Sequence, residues 1–272
     1  YNKKVLLENF QTNLPIIRFI IEGKNDYDVY QALAENDIKN IAISVDVKGI
    51  KSVQIENDNG ELNAEKPYYP FTAQPIKGSN FYIKCPEMFS KKWKKADITI
   101  NWKNTPDSIK DLYNGYIIQP NQNISLSAFG ALETPSIVTS DAYFKANTAL
   151  LEEEIWYPKA QDINLFNKGK DGYTTQFSIS SNELGTSEAI RLTLNQSSLQ
   201  DVYPKLYTLA LSSGSETKKL IPNEPYIPFA EDIELNYSAQ ETAYSYLRKD
   251  ADGAASKNDG VKVYHEDVFG QY

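Results

Sequence analysis

Apolar and polar residues alternate in short runs along most of the chain, the period of a strand with one face buried. From Ile38 to Val47 the residues Ile41, Ile43, Val45 and Val47 fall on one side, and Ala42, Ser44 and Asp46 on the other. This pattern predicts a half-buried strand. Asp97–Lys103 repeats it with Ile98, Ile100 and Trp102, and Ala189–Asn195 with Ile190, Leu192 and Leu194. Further strands are expected at Leu14–Glu22, Val53–Glu56, Asn80–Lys84, Ile124–Ala128, Gln176–Ser180, Ile233–Tyr237 and Val261–Tyr264. Asp58-Asn59-Gly60 predicts a hairpin turn, because Asn-Gly accepts positive φ cheaply. Helical spacing is scarce. Tyr27, Tyr30, Leu33 and Ala34 share one helical face, and Ser108–Tyr113 has room for a single turn. Val202, Leu206, Leu209 and Ala210 predict a helix over 201–211, with Pro204 tolerated in its first turn. Pro86–Lys95 reads as a short helix or an irregular segment, and residues 129–160 as loops with one hairpin. Gly169–Tyr173 reads as a turn, Ser212–Lys219 as a polar loop, and residues 249–260 as a mobile polar stretch.

Two proline-rich stretches interrupt the strands. Lys66–Ile76 holds Pro67, Pro70 and Pro75 beside Tyr68, Tyr69 and Phe71, and Gly78-Ser79 then turns into the strand with Phe81 and Tyr82. Each proline fixes φ, removes a donor and pushes its predecessor extended, so this stretch is neither helix nor central strand. It is expected to be a stiff, nearly straight connector with its rings laid on a neighbouring surface. The second strap holds Pro222, Pro225, Tyr226, Pro228 and Phe229. The expected fold is mainly β: two or more β-sandwich-like units with a few short helices and proline-rich connecting straps. The expected divisions are an arm at 1–13, a β-rich domain at 14–118, a second β-rich unit at 119–220, and a strap opening a further β unit at 221–272. The chain begins at Tyr1 and ends just after Phe269-Gly270, which reads as a piece of a longer protein.

Composition narrows the function. The 272 residues carry a net charge of −8, which argues against a general nucleic-acid binder. No apolar run reaches the length of a membrane span. The single cysteine, Cys85, excludes an internal disulfide, so the core must hold the fold. Nineteen tyrosines favour strands and interfaces.

Candidate chemistry is thin. His265 is the only histidine, so no multi-histidine metal site is possible and any triad would depend on it. Cys85 has no nearby histidine to activate it. Glu152-Glu153-Glu154 reads as a solvated loop, since adjacent carboxylates do not face one another across a cleft. Asp250-Ala251-Asp252-Gly253 lacks the glycine and glutamate positions of a calcium loop. No catalytic residue, metal or cofactor is expected. Lys91-Lys92-Trp93-Lys94-Lys95 is a basic cluster around an aromatic ring. It is expected to be a solvated face with Trp93 packed under the lysine stems, and a contact for an acidic neighbouring subunit.

Three motifs carry a resemblance. Pro70-Phe71 with Pro75, followed by Gly78-Ser79-Asn80-Phe81-Tyr82-Ile83, is the first. Ile221-Pro222-Asn223-Glu224-Pro225-Tyr226-Ile227-Pro228-Phe229 leading into Ile233–Ala239 is the second. Tyr264-His265-Glu266-Asp267-Val268-Phe269-Gly270 is the third. Together, and in this order, they resemble the J-like baseplate wedge proteins of contractile phage tails and contractile injection systems. Two positions depart from the family pattern: Thr72 stands where a glycine follows Pro-Phe, and Val268 where a proline is usual. The resemblance implies a structural wedge subunit joining the tube and spike hub to the sheath, with no enzymatic turnover. It implies partners among the other baseplate subunits, including further copies of this chain or a related wedge protein, and indirectly the sheath and tube. No nucleic acid and no membrane span are expected. Assembly is expected in the cytoplasm, in a phage-tail-like particle that is then released or membrane-anchored. The packing or docking residues are expected to be the prolines and rings named above with Gly78, Trp102 and Tyr237. The alternative from composition alone is a carbohydrate-binding β-sandwich module of a secreted or surface protein, in which Tyr and Trp stack on sugars.

Overall fold

The computed structural model of the chain describes residues 40–116, 140–182, 186–212 and 221–244. The expected arm at 1–13, the strands at 14–22, 124–128 and 261–264, the helix at 27–36, and the stretches at 213–219 and 249–260 lie outside the described residues. Ala42–Glu241 form one compact unit, described here; Tyr1–Ile41 and Thr242–Tyr272 belong to a second.

Two antiparallel sheets make up this unit. The first has five strands, in the order β1 (Asn40–Ile50), β12 (Ala230–Tyr244), β5 (Trp93–Trp102), β10 (Tyr173–Ser180), β9 (Asn167–Lys168). The second has seven. Its path runs β3 (Gly60–Leu62), β2 (Gln54–Asn57), β4 (Asn80–Lys84), β11 (Ser187–Leu194), β6 (Lys145–Glu152), β7 (Ile155–Pro158), and β8 (Ile163–Asn164) also pairs with β6. Among the described residues three short helices connect them: α1 (Pro86–Phe89), α2 (Ile109–Leu112) and α3 (Tyr203–Ser212).

Register turns the alternating pattern into rows of buried side chains. Across the first sheet the rows are Ile233–Ile100–Thr175, Leu235–Ile98–Phe177 and Tyr237–Ala96–Ile179. Across the second, Ile55–Ile83–Ile190–Leu150 is a fully buried row of β-branched and leucine side chains. The apolar members of these rows join a single core. A one-residue slip in any strand would turn its whole row to water, so burial itself fixes the register. The strands come from distant parts of the chain: β5 is flanked by β10 and by β12, so residues near 98, 177 and 235 share one row.

Four expectations are modified. First, the strand expected at 97–103 starts at Trp93, because α1 ends at Phe89 and the basic run that follows is already extended. Second, β1 is not half-buried. Among the described residues it is the end strand of its sheet, and Ile43 and Val45 are 43% and 41% exposed, while Ile50 reaches the core. Third, at Asp58-Asn59-Gly60 the positive φ falls on Gly60 alone, at +121°. Asn59 instead donates its backbone N–H to the Asn57 side chain at 2.9 Å. Fourth, Glu152 is not a solvated loop residue. It ends β6, is 2% exposed, and accepts hydrogen bonds from Asn182 and Ser187.

The β6–β7 hairpin turns on Glu153-Glu154 alone, since Glu152 pairs with Ile155. Both turn residues have positive φ, at 49° and 65°. That is the handedness that matches the strand twist, and Asn-Gly is the sequence that adopts it without strain. Replacing Glu153→Asn and Glu154→Gly together should therefore stabilise the protein by about 1 kcal/mol, less than the full left-handed cost because glycine loosens the unfolded chain. The expected readout is a higher urea midpoint at unchanged slope; an unchanged or lower midpoint would contradict the strain at this turn.

Candidate functional site

The straps are the natural site to build, because their residues carry the packing that the rest of the chain does not explain. The first strap is not straight. Thr72 N–H donates to the Tyr69 carbonyl at 3.3 Å, closing a turn with Pro70 at its second position, where a fixed φ is preferred. A second turn closes from Ser79 N–H to the Ile76 carbonyl at 3.1 Å. The bend drives side chains inward: Tyr68, Pro70, Phe71 and Pro75 are buried, while Pro67 and Tyr69 face solvent. Phe71 meets Phe81 edge-on at 6.2 Å, and Tyr68 stacks on Phe81 at 5.8 Å.

Thr72 sits at φ +69°. A glycine is at ease there, whereas a β-branched residue costs about 1–2 kcal/mol. The turn therefore favours a glycine that this chain lacks. Packing of Phe71 holds the turn despite its sequence.

The second strap, residues 221–229, runs without regular structure into β12. Pro222, Pro225 and Pro228 are buried, and Tyr226 and Phe229 are half-buried. Tyr226 donates its hydroxyl to the Lys103 carbonyl at 2.8 Å, just past the end of β5, and its ring packs on Phe166 at 5.5 Å. Tyr116 donates to the Asn223 carbonyl at 2.7 Å, and Asn223 donates to the Leu112 carbonyl at 3.0 Å.

The two straps meet. Tyr68 and Ala230 exchange both backbone hydrogen bonds, at 3.0 and 2.9 Å, and the Tyr69 and Phe229 rings lie 4.6 Å apart. Asn57 in β2 donates to the Tyr69 carbonyl at 2.9 Å, fastening the junction to the second sheet. At the far end of the first strap Gly78, at φ +91°, donates to the Leu194 carbonyl at 2.9 Å. Of the other expected packing residues, Phe81, Trp102 and Tyr237 are buried, and Trp102 donates to the Leu165 carbonyl at 2.8 Å. Tyr82 lies half-buried beside Trp156.

Gly115 was not singled out by any sequence signal. It lies in the 3-10 turn Asn114–Tyr116, and a Cβ built on it would fall 2.5 Å from the Pro222 Cα. Backbone packs on backbone there, and only the missing side chain allows it.

The basic cluster is largely matched within its own chain. Lys91 bonds to Glu87 and to the Tyr237 hydroxyl, Lys92 pairs with Glu241 at 2.7 Å, Lys95 pairs with Asp97 at 2.8 Å, and Lys94 reaches Gln240. Trp93 is buried, and its indole donates to the Ser187 hydroxyl at 3.1 Å. Cys85 is buried, and burial raises its thiol above the ordinary range, away from reactivity. His265 and the Asp250–Gly253 stretch lie outside the described residues. Among the described residues no three histidine, cysteine, aspartate or glutamate side chains gather as a metal site. No helix among them is long and apolar enough to cross a membrane.

Geometry of this kind, aromatic rings and prolines locking two sheets around one core, is that of a structural module. The family model for the PVC11-like baseplate proteins matches residues 22–266, and the chain belongs to that family. Its role is accordingly that of a structural baseplate component. No curated protein matches the chain.

Two expected outcomes follow from the strap geometry. Gly115→Ala should destabilise the protein by about 3 kcal/mol or more, since neither the turn nor Pro222 is a flexible side-chain end that can yield. Equilibrium denaturation checks this, and a loss within experimental error would mean that the approach to Pro222 is loose. The second concerns alkaline pH. Burial pushes the Tyr226 hydroxyl up to about 12, and raises Tyr68, Tyr113 and Tyr116 as well. An unfolded tyrosine ionises near 10. The folded state thus retains protons that the unfolded state loses, and the resulting stability is full below pH 10 and lost as pH rises toward 12. Unfolding should accompany tyrosine ionisation in that window, read as coincident changes in ultraviolet absorbance and circular dichroism; ionisation of these tyrosines in a still-folded protein would contradict their burial.

Proposed function

We propose that this chain is a wedge subunit of the baseplate, linking the tube and spike hub to the sheath in a contractile injection system or phage tail. The observation that carries this reading is the junction of the two straps. Tyr68–Ala230 pairing and Tyr69–Phe229 contact tie the first strap to the start of β12, and Asn57 ties the same point to the second sheet. A joint tied to both sheets resists their separation, which is what a part between a moving sheath and a fixed hub requires. Membership of the PVC11-like baseplate family supports the same placement.

The partners in this reading are the other baseplate subunits, including further copies of this chain or a related wedge protein. The cluster Lys91–Lys95 offers them a contact. Its ion pairs with Glu87, Glu241 and Asp97 lie at the surface, where a pair is worth about 0–1 kcal/mol, so a partner carboxylate exchanges for them at little cost. At the opposite end of β5 the half-buried rings of Tyr226 and Phe229 and the exposed Tyr69 supply apolar contact. The particle is assembled in the cytoplasm and is then released or anchored at a membrane. The work is mechanical, with no turnover.

Electron microscopy of purified particles carrying a tagged copy of the chain tests this placement. The expected result is repeated tag density in a ring between the central hub and the first sheath layer. Density confined to the tube, the sheath barrel or the fibres would refute the wedge assignment.

A further inference from the structure

The outer face of the seven-stranded sheet carries side chains that a solvated face does not need. An antiparallel sheet packed on one side ordinarily presents polar residues on the other. Here Ile190, Leu192 and Leu194 of β11 point into the core, so Arg191 points out. Arg191 is paired across the strands with Tyr82 on one side and Ala149 on the other. Trp156, registered with Leu151 of β6, completes the same face. Ala149 and Ala189 on this face are nearly inaccessible, so small residues form a floor beneath large ones.

Three of these side chains pack together. The Arg191 guanidinium lies 4.3 Å from the centre of the Trp156 ring, and the Tyr82 ring lies 5.9 Å from the same indole. Contact with the indole fixes the plane of the guanidinium and leaves its N–H edge as the group offered to a partner. The Nε of Arg191 is buried without an acceptor. No carboxylate among the described residues pairs with this arginine, although the chain as a whole carries an excess of eight negative charges. An arginine held by an indole, half-buried, with its Nε out of water and no counter-charge among the described residues, is arranged for an acceptor that arrives from outside. A carboxylate matches its fork with two parallel hydrogen bonds.

We propose that this face docks a protein segment of another subunit, with an Asp or Glu side chain on the Arg191 fork and an adjacent apolar residue on Trp156 and Tyr82. Tryptophan, tyrosine and arginine are the residues that most often dominate a protein interface. A sugar would need a free aromatic face, and the guanidinium already covers one face of the indole. The proposal rests on the chain working within a multi-subunit particle.

The test uses the full-length chain in its particle. The photo-crosslinker benzoylphenylalanine is placed at Thr193, two residues along the same face, with Arg191 intact. In parallel, Arg191→Lys and Arg191→Glu chains are scored for melting temperature and for their ratio to sheath protein in purified particles. Lysine keeps the charge but loses the fork. The expected results are a crosslink to an Asp- or Glu-bearing peptide of another subunit and, in the Lys variant, an unchanged melt with incorporation lowered about tenfold, as one interface anchor commands. Normal incorporation of both variants would overturn the docking site, as would a crosslink that closes on this chain's own residues or on a glycan. A wild-type chain that enters no particle would instead bring down the assembly reading, and this docking with it.

Discussion

The structure depends on one junction, where the backbones of Tyr68 and Ala230 pair and the Tyr69 and Phe229 rings touch. Its two backbone hydrogen bonds contribute roughly 1–3 kcal/mol net, while a buried phenylalanine such as Phe71 accounts for about 3–5 kcal/mol on truncation to alanine. Burial is therefore the larger force, and the hydrogen bonds decide where it is applied. They set the point at which β12 enters the first sheet. A register shift between Ala230 and Asp232 follows, and beyond it Ile233, Leu235 and Tyr237 face β5 at alternate residues. Beyond that shift, a slip of one residue would offer the wrong face of β12 to the core.

The strands were legible wherever one face is buried and the other wet. Ile98, Ile100, Trp102, Ile190, Leu192 and Leu194 all occupy the inward positions that alternation assigns them. The family was legible too, through the order of its strap motifs, and the matched region bears that out. What escaped was set by distance along the chain. Alternation in β1 says that its two faces differ, but an edge position leaves Ile43 and Val45 in water all the same. Glu152 reads as surface because of its neighbours Glu153 and Glu154, yet Asn182, just past β10, and Ser187 of β11 supply the donors that a buried carboxylate needs.

The straps illustrate the same division at the site itself. Their prolines and rings are conspicuous in sequence, and the absence of helix and strand there follows from proline alone. The bend does not. A straight connector and a folded plug have the same local preferences, and the choice between them was made by Phe81, which gives Phe71 and Tyr68 a surface to cover. Thr72 at positive φ marks how strongly that packing prevails over local preference. Gly115 had no signal at all, since a glycine that permits close approach looks like any other until Pro222 is placed against it.

The straps and the outer face of the seven-stranded sheet differ in the charge of the buried donor each leaves unmet, and the contrast bears on assembly. Around the straps the hydroxyls of Tyr226, Tyr116 and Tyr113 each find a backbone carbonyl. The Tyr68 hydroxyl is the exception: it is buried at the strap junction with no partner among the described residues. At Arg191 the donor is buried and its acceptor is missing within the described chain. Leaving a charged donor unmet costs more than leaving a neutral one, so the imbalance is not a neutral accident of packing. Among the described residues the one charged donor left unmet in this way lies on an outward face, and the unmet group at the strap junction is neutral.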